Sequence, residues 1–251
     1  MTREELSILN VGNNLDQLMN LDPRGYGVCR ILYEGSRAYA GEPVSMHCAK
    51  ALNSMLEPGD IVYIMTGFIL RPHRQPETDG IVGAILLARA LVEAYDVKPV
   101  IVCPEENVVA IKNCSPLIGM HLYEDISTLL EMPQSFGVYP FTKKMEEVEE
   151  NIHRLFSYGL PKVLISTEAP GANKKGEYHN AVGINMTELE AKMDGLFDAV
   201  KNLGIKTFAV GDLGNEIGMG AIGEHIRKYI PYAAEGECQC GCGGGLLART
   251  A

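Results

Sequence analysis

Ile61-Val62-Tyr63-Ile64-Met65-Thr66-Gly67 is the stretch whose reading decides the fold. A short, partly β-branched apolar run with no polar alternation reads as a strand buried on both faces, the habit of parallel sheets. Pro58-Gly59-Asp60 separates this run from a helix that starts at Pro43 and extends through Leu56, Pro being well tolerated in a first helical turn. Further upstream, Leu6, Leu9, Leu15 and Leu18 give Glu4 to Met19 a helical period, and Asp22-Pro23-Arg24-Gly25 reads as a turn. Downstream the pattern alternates. It predicts a helix over Ile81 to Tyr95, a strand over Pro99 to Cys103, and helices from Glu106, over Asp125 to Glu131 and over Met145 to Tyr158. A strand over Val163 to Ser166, a helix over Met186 to Leu203, a strand over Thr207 to Val210 and a helix over Ile217 to Tyr229 complete it. Strands alternating with helices imply βαβ units. The expected architecture is a single α/β domain over residues 1–251, with a doubly wound, mostly parallel sheet and helices on both faces.

Composition narrows the function classes. Lys+Arg 22 against Asp+Glu 32 gives a net charge of -10, the wrong sign for a general nucleic-acid binder. A small anionic substrate remains compatible, because a local basic pocket can sit in an acidic surface. The longest apolar run, Ile61 to Leu70, is half what a membrane span needs, so no membrane insertion is expected. The N-terminus lacks a basic-then-apolar leader pattern. The odd count of seven cysteines reads as reduced thiols, and with the absent leader it predicts a cytoplasmic protein. Homo-oligomerisation is left open.

Polar residues collect after the strands. Thr66-Gly67 and then Glu77-Thr78-Asp79-Gly80 follow the first, and Thr167-Glu168-Ala169-Pro170-Gly171 and Glu177-Tyr178-His179-Asn180 follow the strand at Val163. Gly211-Asp212-Leu213-Gly214-Asn215-Glu216-Ile217-Gly218-Met219-Gly220 follows the strand at Thr207. In an open parallel sheet these segments all emerge at the carboxyl edge, where ligands bind. Carboxylates with one imidazole suit Mg²⁺ or Mn²⁺ rather than a thiolate-bound metal. Helix starts beside them attract anions. The late glycines do not match the dinucleotide fingerprint, which occupies the first βα turn.

Each signal also has an ordinary structural reading. Asp79 can simply cap the helix over 81–95, and Asp212 to Asn215 can be a strand-to-helix turn. His179 can be a surface histidine. Arg71, His73 and Arg74 form either a solvated loop or an Arg fork for a substrate carboxylate or phosphate. Cys238-Gln239-Cys240-Gly241-Cys242 has no second Cys/His pair at zinc-site spacing and is not read as a metal site.

At these residues the sequence resembles the D-glutamate cyclase family, in the domain that forms the C-terminal part of the larger vertebrate enzyme. The matching motifs are Thr66-Gly67-Phe68, Glu77-Thr78-Asp79-Gly80 with Gly83-Ala84 and Leu87-Ala88-Arg89-Ala90-Leu91, Glu168-Ala169-Pro170-Gly171, Tyr178-His179-Asn180, and Gly211 to Gly220. Leu21-Asp22 with Arg24-Gly25 also fits, so the resemblance runs from near Asn14 onward. Family members carry a further apolar strand and an Asn-Trp-Gly segment near their end, whereas this sequence has no Trp and stops at Ala251. A final strand is therefore expected beyond it. The vertebrate protein also has a hydro-lyase-like N-terminal domain that this sequence lacks.

The resemblance implies a lyase that converts D-glutamate to 5-oxo-D-proline and water. A free carboxylate is a poor electrophile, so that reaction needs a metal or Arg to neutralise it and a base for the ammonium. Glu77, Asp79, Asp212 and Glu216 are the expected ligands of Mn²⁺ or Mg²⁺, and Glu168, Asp212 and His179 the candidate catalytic groups. Arg71 and Arg74 are expected on the substrate α-carboxylate, with Thr66, Gly67, Gly171, Asn180, Asn215 and Gly218 around the substrate. A Mn/Mg-dependent phosphohydrolase would use the same equipment, as some stand-alone relatives suggest. A non-catalytic small-anion-binding domain is the third reading.

Overall fold

The computed structural model describes residues 1–22 and 25–251. Three helices lead in: α1 (Arg3–Met19), α2 (Val28–Ala40) and α3 (Val44–Met55). The strand β1 (Ile61–Met65) is followed by a small antiparallel ladder of β2 (Ile69–Leu70) with β3 (Gln75–Pro76). Then come α4 (Thr78–Tyr95), β4 (Lys98–Cys103), α5 (Glu105–Cys114), β5 (His121–Tyr123), α6 (Ile126–Glu131) and β6 (Ser135–Pro140). The remainder is α7 (Val148–Phe156), β7 (Val163–Thr167), α8 (Asp194–Asn202), β8 (Lys206–Val210) and α9 (Gly223–Tyr229). Six of the strands form one sheet in the order β5-β6-β4-β1-β7-β8, with every pair parallel.

The apolar run of β1 is buried on both sides, and its side chains alternate between two cores. Val62 and Ile64 pack with α4 and α5 residues such as Ile81, Ile85, Val108 and Ile111. Tyr63 and Met65 pack on the opposite face with Ile126 and Leu129 of α6, Leu155 of α7, and Leu196 and Phe197 of α8. Helices therefore cover both faces, the doubly wound arrangement expected for a continuous apolar strand. Each fully buried side chain of this size contributes roughly 1.5–3 kcal/mol of transfer free energy. The Tyr63 hydroxyl stays satisfied inside the core by donating to the Gly159 carbonyl at 2.9 Å.

Several boundaries differ from the sequence expectation. Helix α2 was not anticipated, although Leu32, with Val28 and Ile31 beside it, packs in one cluster with Ile226 of α9. Strands β5 and β6 were also missed. Gly137 sits mid-strand in β6, where a Cβ would lie 2.8 Å from Leu129 Cδ2. Helix α7 begins at Val148, after a 3-10 turn at Met145–Glu147. Helix α8 begins at Asp194 instead of Met186, since the Lys192 ammonium donates to the carbonyls of Thr187 and Glu190 and holds that stretch in turns. Helix α9 begins at Gly223 instead of Ile217, because Gly218 has φ 97° and only a 3-10 turn (Met219–Ile222) follows. In the expected turn at 22–25, Asp22 accepts the Gly25 N–H at 3.0 Å, while Pro23 and Arg24 lie outside the described residues. Among the described residues no helix is long and apolar enough to cross a membrane.

The chain leaves β1 for β4 on one side and later returns as β7 on the other. The carboxyl ends of β1 and β7 thus flank the point where strand order reverses, the place such sheets leave open for ligands.

Candidate active site

Backbone hydrogen bonds lace the ends of β1, β7 and β8 together. Gly67 N–H donates to the Glu168 carbonyl at 3.0 Å, and Glu168 N–H donates to the Val210 carbonyl at 3.1 Å. Glu168 itself has φ 47°, a strained left-handed value for a non-glycine residue that is characteristic of functional turns. The first turn of α4 presses directly on these ends. A Cβ on Gly80 would lie 2.6 Å from Thr66 Oγ1 and 2.8 Å from Glu168 Cβ, so only glycine lets the helix approach. Helix α4 begins at Thr78, with Glu77 in the N-cap position and no side-chain cap bond. Asp79 is therefore a first-turn residue, not the cap, and its carboxylate accepts the Gly80 N–H at 2.7 Å.

After β8, Glu216 shapes the loop that holds Asp212. Its Oε1 accepts the N–H groups of Asp212 and Leu213, both at 2.9 Å, and its Oε2 accepts the Gly214 N–H at 2.6 Å. Carboxylate oxygens of Glu168, Asp212 and Glu216 lie within 4.8 Å of one another. Burial, together with the neighbouring Glu216, Asp212, Asp79 and Glu77 carboxylates, pushes the Glu168 carboxyl up to about 10. Burial also raises Glu216, against the pull of the backbone N–H groups it accepts. Like charges this close repel unless a proton or a cation intervenes. Glu77, Asp79, Glu168, Asp212 and Glu216 line one cleft of about 430 Å³, with Arg71 on its rim and Phe68, Tyr26 and Met186 as apolar wall.

The family model for "D-glutamate cyclase-like, C-terminal" matches residues 15–251. The chain belongs to the D-glutamate cyclase-like family. It is 28% identical over 226 residues to human mitochondrial D-glutamate cyclase, an alignment covering 87% of this chain and 33% of the human protein. The chain thus spans about a third of the length of that curated relative.

In this cyclase-like chain the expected site residues separate into groups. The carboxylates Glu77, Asp79, Glu168, Asp212 and Glu216 come together, as does Arg71. Glu168, expected only as a catalytic group, joins Asp212 and Glu216 in the tightest cluster, while Glu77 and Asp79 lie outside it. Arg74 lines a neighbouring cleft with Glu177, Asn185 and Thr187, which Arg71 also borders. Asn180 and Asn215 border the acidic cleft but are engaged locally. Asn180 Oδ1 accepts the Val182 and Ile184 N–H groups, and Asn215 Nδ2 donates to the His179 carbonyl at 2.8 Å. Three of the glycines serve close packing: a Cβ on Gly67 would strike Asn107 Nδ2 at 2.3 Å, one on Gly171 the Ala248 Cβ at 2.6 Å, and one on Gly218 the Ala209 Cβ at 2.2 Å. Thr66 is fully buried behind the cleft, and its hydroxyl has no hydrogen-bond partner among the described residues.

His179 is not among the cleft-lining residues. It is buried at 1% exposure, with Nε2 3.1 Å from Cys240 Sγ. The cysteine run was set aside because no second Cys/His pair follows at zinc-site spacing; the structure brings it against a single histidine some sixty residues upstream, which spacing rules do not reach, in a group able to hold an ion. The apolar wall was likewise unforeseen, since nothing in local sequence marks Tyr26 or Met186 as bordering a cleft.

Proposed function

We propose that this chain closes D-glutamate to 5-oxo-D-proline with loss of water in the acidic cleft. The observation that carries the reading is the convergence of five carboxylates beside one arginine at the point where strand order reverses. Family membership supports it, and the human relative bears the name of this reaction.

Glu168, Asp212 and Glu216 offer only oxygen donors, which fits a hard divalent cation such as Mg²⁺ or Mn²⁺. The raised Glu168 is the mark of a cluster that needs positive charge to ionise fully. When bound, such an ion supplies charge neutralisation for the substrate γ-carboxylate and its developing oxyanion. Arg71 is suited to the α-carboxylate, as a planar fork that pairs both oxygens. The C–N bond forms between the substrate amine and the carboxyl carbon of its γ-carboxylate, and the C–O bond from that carbon to the leaving oxygen breaks. The ammonium gives up two protons and the leaving oxygen gains two, so the cleft must move protons from nitrogen to oxygen. Asp79 and Glu77, outside the tightest cluster, are assigned that relay.

The test is a paired assay of the purified chain with Mn²⁺ or Mg²⁺. It measures 5-oxoproline from D- and L-glutamate beside phosphate release from a generic ester. The expected result is 5-oxoproline from the D isomer. Phosphate release without 5-oxoproline would replace the reaction with ester hydrolysis at the same carboxylates. Tight anion binding with neither product would make the domain a binding module.

A further inference from the structure

His179 Nε2 and the sulfurs of Cys238, Cys240 and Cys242 form a second cluster, all within 4.8 Å of one another. The Cys238–Cys242 and Cys238–Cys240 sulfur pairs are 3.4 and 3.6 Å apart, and Nε2 lies 3.1 Å from Cys240 Sγ and 3.6 Å from Cys242 Sγ. A tetrahedral zinc with Zn–S of about 2.3 Å and Zn–N of about 2.0–2.1 Å has ligand–ligand edges of roughly 3.5–3.8 Å. The observed edges are close to that shell and far from the ~2.05 Å of a disulfide. All seven cysteines are free thiols.

We propose that His179, Cys238, Cys240 and Cys242 bind a structural zinc-class ion, separate from the oxygen-lined cleft. The ligand chemistry divides the two sites. Thiolates and an imidazole select zinc, whereas the carboxylates of the cleft suit Mg²⁺ or Mn²⁺. Four protein ligands fill a tetrahedron and leave no open position, which marks a structural centre.

Local sequence builds the knuckle. Cysteines two apart on an extended strand would sit about 6.5–7 Å from each other. Gly241 and Gly243, each at φ 78°, curl the chain so that three alternate sulfurs face one point. Cys242 N–H donates to Cys240 Sγ at 3.4 Å and Gly244 N–H to Cys242 Sγ at 3.3 Å, bonds that favour thiolate over thiol. The other ring nitrogen, His179 Nδ1, faces Asn173 Nδ2 at 3.5 Å. Asn173 Nδ2 donates to the Gly245 carbonyl at 2.7 Å and holds the histidine loop against the cysteine loop.

The centre would brace the acidic cleft from behind. The His179 carbonyl accepts from Asn215, Gln239 N–H donates to the Gly183 carbonyl at 3.0 Å, and Ala248 N–H donates to the Gly214 carbonyl at 2.9 Å. One ion would therefore tie the segment after α9 to the loops that follow β7 and β8.

Elemental analysis of the chain purified under reducing conditions should find one zinc per molecule, released by a thiol-blocking mercurial. Exchange with Co²⁺ should give thiolate charge-transfer absorption with intense tetrahedral d–d bands. Cys240→Ser, at an exposed position, should lose the bound zinc, whereas Asp212→Asn should leave it untouched. A wild-type chain that takes up no zinc and gives no such Co²⁺ spectrum would overturn the proposal. Full zinc retention in both Cys240→Ser and Cys242→Ser would do the same. Should those variants fail to fold, the wild-type Co²⁺ spectrum decides.

Discussion

Glu190 shows how a single carboxyl couples this fold to pH. It is completely buried, both its oxygens face the Ile69 N–H at 3.2 and 3.3 Å, and burial pushes it up to about 8. A folded value above the unfolded one means that the native state holds the proton more tightly. Its contribution to stability is then complete below about pH 4.5 and declines as pH rises through 8, by up to about 1.4 kcal/mol per pH unit. Glu190→Gln keeps an oxygen for Ile69 but does not ionise. Urea denaturation at pH 6 and pH 8 should show the wild type losing stability relative to this variant across the interval. Parallel behaviour of the two proteins would rule out the burial effect. At this scale the cleft carboxylates were legible, because each follows a strand or opens a helix in sequence. His179 was not, because its partners are set by how the final loop returns across the molecule.

Elements were legible where packing matches local propensity. Strands β1, β4 and β7 read clearly since both faces are apolar, whereas β6 hides behind a glycine demanded by α6 and a flanking proline. The boundaries of α8 and α9 shifted because side-chain bonds to backbone and a positive-φ glycine compete with helix extension. Gly218 tests this reasoning. It combines φ 97° with a Cβ position 2.2 Å from Ala209 Cβ on β8, whereas Gly59 has φ 86° and open space around it. Gly59→Ala should cost only the left-handed penalty of about 1–2 kcal/mol. Gly218→Ala should add an overlap cost of about 1–3 kcal/mol to a similar penalty. Chemical denaturation of both variants checks the ranking, and equal losses would contradict the close approach to β8.

For the whole molecule, the parallel order β5-β6-β4-β1-β7-β8 gathers carboxylates from far-apart positions in the chain. Alternation of strand and helix made the doubly wound class readable, but strand order was not, because it depends on which edge each crossover reaches. That order gives the site its address: β1 and β7 are neighbours although nearly a hundred residues separate them, so Glu168 meets the first turn of α4. The account stands on this cleft being where glutamate is closed. The decisive measurement is the rate of 5-oxoproline formation from D-glutamate, with Mn²⁺ or Mg²⁺, in wild type, Asp212→Asn and Glu188→Gln, the last from the neighbouring cleft. The account predicts a loss on the order of a hundredfold or more in Asp212→Asn and a near wild-type rate in Glu188→Gln. An Asp212→Asn protein that turns over D-glutamate as fast as wild type would contradict it.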